Sequence, residues 1–80
     1  MNRTVVESTT LAAVAYDDAR ETLQLEFRGG ALYRYFGVPA PVYDALLAAP
    51  SKGGYFNRAI RGNFPYSGAL NRAAGLHGEI

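Results

Sequence analysis

The chain contains no cysteine, no tryptophan and a single histidine. Without thiols there is no disulfide framework, thiolate nucleophile or zinc–thiolate site, which fits a reducing compartment. The lone histidine, His77, stands in the glycine-containing C-terminal stretch, and the scattered carboxylates supply no ligand set around it. Neither a metal nor another cofactor is therefore expected. No apolar run approaches the ~20 residues of a membrane helix. The opening "MNRTVVESTT" lacks the apolar segment of a signal peptide. These absences point to a cytoplasmic protein with no membrane partner.

Catalytic chemistry is equally sparse. Ser8, Thr9 and Thr10 follow Glu7, with no recognisable base to activate a hydroxyl. Asp17-Asp18 sits between two strand-like segments, where paired aspartates are ordinary turn chemistry. "SKGG" (51–54) lacks the glycine-rich lead-in and the Lys-Ser/Thr order of a phosphate loop. No enzyme is expected.

Acid is missing from one further place. Between Lys52 and Arg72 there is no aspartate or glutamate. The net charge of +1 hides a polarity: residues 1–26 hold two arginines against five acids. Residues 27–80 hold Arg28, Arg34, Lys52, Arg58, Arg61 and Arg72 against Asp44 and Glu79. Such a distribution suits a polyanionic or acidic partner, or is a solvated pattern with no partner.

What is present reads as one small domain of α+β class, over residues 5–66, with a weakly ordered tail at 67–80. "LAAVAY" (11–16) is a short flat strand whose free edge invites pairing of two copies. "TLQLEF" (22–27) alternates, with Leu23, Leu25 and Phe27 on one face. Gly29-Gly30 turns the chain into "ALYRYFGV" (31–38). The single "RGG" at 28–30 is this hairpin turn and not an RNA-binding repeat. Pro39 and Pro41 end the strand and open a helix over 41–49. Ser51 caps a second helix over 52–61, which Gly62 terminates and which buries Phe56, Ala59 and Ile60. "NFPYSG" (63–68) is a turn whose aromatics fold back onto the sheet. The expected architecture is a three-stranded antiparallel meander followed by two short helices packed on one face, βββαα.

The tyrosines of Tyr33-Arg34-Tyr35 face either water or the core, according to the turn. A two-residue loop at Gly29-Gly30 puts Arg34 on the Leu23-Leu25-Phe27 face and both tyrosines in water. A three-residue loop, with Gly30 in the left-handed region, pairs Phe27 with Ala31 and reverses every side chain. Burying an unpaired arginine is the more costly outcome, which favours the second register.

Aromatic and basic residues together hold single-stranded nucleic acid by base stacking and phosphate neutralisation. The candidates are Arg34, Lys52, Arg58 and Arg61 as cations, and Tyr33, Tyr35 and Tyr55 as stacking surfaces. Phe56 and Phe64 are assigned to the core. With the tyrosines of the triplet turned inward, the weight falls on Lys52, Tyr55, Arg58 and Arg61.

"YDDARETLQLEFRGGALYRYFGVP" and "VYDALLAAPSKGGYFNRAIRGNFPY" resemble the KTSC domain from about Val6 to Tyr66. The most specific parts are Tyr33-x-Tyr35, Gly37-Val38-Pro39 and Ser51-Lys52-Gly53-x-Tyr55-Phe56-Asn57. That domain occurs at the C-terminus of some lysyl-tRNA synthetases and as a free-standing bacterial protein. The resemblance implies a small module, here expected to stand free, and not aminoacylation. RNA, as tRNA or single strand, is the partner it suggests; the alternative is a protein-interaction module that docks an acidic partner.

Overall fold

The computed structural model describes residues 2–68. Four strands come first: β1 (Asn2–Val5), β2 (Leu11–Asp17), β3 (Thr22–Phe27) and β4 (Leu32–Phe36). The helices α1 (Ala40–Ala48) and α2 (Lys52–Tyr55) follow, α2 running directly into a π-helical turn over Phe56–Ile60. The chain then returns to the sheet as β5 (Tyr66–Gly68).

The three-stranded meander is corrected to a five-stranded antiparallel sheet in the order β1-β2-β3-β4-β5. The expected strands form its centre, and an unanticipated strand lies at each edge. β1 pairs with β2, with Arg3 opposite Ala15, and β5 pairs with β4, with Tyr66 opposite Tyr35. Neither carries an apolar alternation, so backbone pairing specifies them. β1 is also tied by Arg3, whose Nε and Nη2 donate to the Glu26 carboxylate at 2.7 and 3.1 Å. β2 is thus an interior strand and not the free edge its flat apolar sequence suggested. The helices lie between β4 and β5 in chain order, giving ββββααβ.

One face of the sheet is the core. Leu11, Val14, Leu23, Leu25 and Tyr35 meet Val38, Leu46, Phe56 and Ile60 from the connection and the helices. A bulge in β2 makes this possible: Leu11 lies opposite Phe27 but Ala13 lies opposite Glu26. The extra residue keeps Leu11 on the core face despite the odd count. Tyr16 anchors the turn into α1. Its hydroxyl donates to the Val38 carbonyl at 2.6 Å, and its ring stacks on Tyr43 at 4.7 Å.

The helix signals act as their chemistry demands. Ser51 Oγ accepts from the Gly54 amide at 3.1 Å, and Gly62 takes φ 81° beyond the π turn. Gly53 is required for close approach, since a Cβ there would lie 2.6 Å from Thr10 Oγ1. Among the described residues, no helix is long and apolar enough to cross a membrane. Residues 69–80, most of the expected tail and its His77, lie outside the described residues.

Candidate functional site

The hairpin between β3 and β4 sets the site. The Phe27 amide donates to Ala31 O and the Gly30 amide to Phe27 O, both at 2.9 Å, with Gly30 at φ 98°. This is the three-residue loop with its last glycine left-handed. Leu25 therefore pairs with Tyr33 and Leu23 with Tyr35, and both tyrosines face the core side. Arg34 pairs with Gln24 on the opposite face, where its Nε donates to Gln24 Oε1 at 3.0 Å.

Beyond the helices, the core face opens into a cleft of about 390 Å³. Five aromatic residues line it: Phe27, Tyr33, Tyr35, Phe56 and Tyr66. Ala31 adds a methyl group, Gly62 bare backbone and, among the described residues, Arg61 the one charge. Phe56 meets Phe27 and Tyr35 edge to face, with centroids 5.4 and 5.6 Å apart. Tyr66 covers Tyr35 at 5.3 Å and Tyr33 at 5.5 Å, yet remains 60% exposed. The rings thus grade from a closed back wall to an open lip.

The π turn brings the basic and aromatic halves together. Phe56 and Arg61 are five residues apart, which in an α-helix separates them by about 140° around the axis. Here the Arg61 amide donates to the Phe56 carbonyl at 2.9 Å, closing an i→i+5 turn. Phe56 is buried while Arg61 stays exposed, and both line the cleft. Burial raises the Tyr35 hydroxyl above its ordinary pKa, neighbouring Tyr33 and Tyr66 add to the rise, and the Arg61 charge opposes it.

The predicted residues thus divide among four places. Tyr33, Tyr35 and Arg61 share the cleft. Tyr55 and Arg58 form a separate pair, the guanidinium 5.6 Å from the ring centroid. Lys52 stands at a second hollow of about 240 Å³, beside Glu7, with its Nζ donating to the Ala49 carbonyl at 3.0 Å. Arg34 is on the far face of the sheet. Three aromatic cleft residues had other places in the sequence reading: Phe27 on the strand's apolar face, Phe56 in the core, and Tyr66 in a turn folding back onto the sheet. The first two carried a readable signal for burial but none for lining an opening. Tyr66 joins only because β5 pairs with β4.

A family model for the KTSC domain matches residues 7–64. A lysine–tRNA ligase of Nostoc sp. is 45% identical over 60 residues, covering 75% of this chain and 11% of the ligase. The chain therefore corresponds to about a tenth of that enzyme's length. A protein of Stutzerimonas stutzeri is 43% identical over 61 residues, covering 76% of this chain and 86% of its own. The crystal structure of a KTSC domain protein from Yersinia pestis superposes with a TM-score of 0.80 at 32% identity. That match covers 82% of this chain and 93% of the other. The family match spans most of the described chain and the backbone agrees with it, so the chain belongs to the KTSC domain family.

Proposed function

We propose that the domain binds single-stranded RNA, with a base entering the aromatic cleft and a phosphate meeting Arg61. The observation that carries this reading is a cleft of five aromatic rings with a guanidinium and, among the described residues, no carboxylate in its lining. Stacking on an aromatic ring is worth about 1–3 kcal/mol per base, and one cation neutralises one phosphate. Tyr66 is the accessible stacking surface, with half-buried Tyr33 packed beside it and Tyr35 the wall behind them. Arg58 and Tyr55 adjoin through the same helical segment. Lys52 and Arg34 act at most through the long-range field. The relatives that include lysine–tRNA ligases support RNA over other polyanions, since a tRNA is what those enzymes name as substrate.

A fluorescence-anisotropy titration with single-stranded RNA across a salt series tests the reading. Binding that weakens with salt and is lost in Tyr66→Ala supports it; no affinity at low salt overturns it. An association that depends on Arg58 and Arg61 yet survives nuclease treatment identifies the alternative, an acidic protein partner.

A further inference from the structure

Resting on that reading, we infer that the cleft holds a single unpaired nucleotide, one base and one phosphate, and does not track a continuous strand. Its volume of about 390 Å³ is at the small end of ligand pockets, which run from about 300 to 1,000 Å³. The rings leave one place for a base. Tyr66 already has Tyr35 and Tyr33 packed against it, at 5.3 and 5.5 Å between centroids, so no base fits between them. Its exposure of 60% is the remaining open stacking surface.

The cations agree with the rings. A groove that follows single-stranded nucleic acid needs a row of positive charges along the phosphates, interleaved with stacking platforms. Among the described residues, Arg61 lines the cleft and no second cation does. Arg28 is turned away, its Nε donating to the Ser8 carbonyl at 2.6 Å. Arg34 is on the opposite face with Gln24, Arg58 lies over Tyr55, and the Lys52 ammonium is held at Ala49. One stacking surface beside one guanidinium matches one nucleotide. The suitable target is an unpaired terminal nucleotide, or one extruded from a structured RNA.

The test is the salt dependence of binding as a function of RNA length, using the full chain with single-stranded oligonucleotides of two, four and eight nucleotides. One phosphate contact gives a log–log salt slope of about −0.7, whereas four would give about −2.8. The inference expects a slope near −0.7 at every length, with affinity rising only as the number of equivalent positions. Arg61→Gln brings the slope near zero, and Tyr66→Ala weakens binding to all lengths by about 5- to 150-fold. Arg61 is exposed, so Arg61→Gln leaves the fold intact. Tyr66 also pins β5 through Tyr33 and Tyr35, so Tyr66→Phe, which keeps the packed ring, is the paired control and should bind like the parent. A slope that steepens with length overturns the single-nucleotide inference and leaves RNA binding standing. Absence of binding by every oligonucleotide at low salt overturns the RNA reading itself.

Discussion

Replacing Gly68 with alanine tests whether β5 builds the cleft. A Cβ at Gly68 would lie 2.7 Å from Leu32 O and 2.7 Å from Tyr33 Cα. Even a close Cα–H···O contact keeps carbon and oxygen about 3.3–3.6 Å apart, and both obstructing atoms here are backbone. Either β4 bends or β5 leaves. Two aromatic contacts hold Tyr66, together worth about 1–3 kcal/mol. The bond from the Phe36 amide to Pro65 O, at 2.9 Å, adds about 1 kcal/mol. Ordering the backbone of the three residues of β5 opposes this by about 3–6 kcal/mol. These totals are of similar size, so β5 is held with little margin. Overpacking strain of about 1–3 kcal/mol then exceeds that margin. We expect Gly68→Ala to release β5 with a modest global loss of about 1 kcal/mol, or about 4–8 °C in Tm. Amide exchange is the specific readout: Phe36, deprived of Pro65 O, loses protection while the β2–β3 ladder keeps it. An unchanged Tm with full protection at Phe36 would refute the reasoning.

Gly53→Ala places a Cβ 2.6 Å from Thr10 Oγ1 and 3.0 Å from Thr10 Cβ. After about 1 kcal/mol of helix-propensity gain, a net loss of about 1–2 kcal/mol should appear in urea denaturation, partly recovered by adding Thr10→Ala. Glu21 sits at φ 50° without being glycine, so Glu21→Gly should raise stability by about 0.5–1 kcal/mol in the same assay. Because the Tyr35 pKa is raised on folding, the unfolded chain loses that proton first as pH rises. Its stabilisation is complete below about pH 10 and is lost above it. Tyr35→Phe should flatten the alkaline fall seen in thermal melts. A residual slope persists from Tyr16, whose hydroxyl is also raised, chiefly by burial.

The central strands and the helices were legible because each carried its own signal. Leu23-x-Leu25-x-Phe27 alternates, Pro41 opens a helix, and Ser51 and Gly62 bracket another. The turn register followed from the cost of burying Arg34. The edge strands had no such signal. Asn2–Val5 is exposed along its length and Tyr66–Gly68 is three residues long, so neither shows a buried face to recognise. Tyr66 was expected to fold back onto the sheet, but without β5 its place against Tyr33 and Tyr35, and with it the open lip of the cleft, was hidden. The π turn was invisible for another reason. "FNRAI" carries the spacing of an ordinary helix, whereas the π turn closes with Phe56 and Ile60 both buried, a tertiary outcome the local spacing does not announce. Charge alone grouped Arg34 and Lys52 with Arg61, whereas strand parity and the Ala49 carbonyl separate them.

The central claim is that the face formed by β4, β5 and the π turn is where RNA binds. Backbone chemical-shift mapping on titration with a short single-stranded RNA at low salt tests it most directly. The account predicts shifts concentrated at Tyr33, Tyr35, Arg61, Gly62 and Tyr66. Shifts centred on Gln24 and Arg34, or on Ser51 to Gly53, would contradict it.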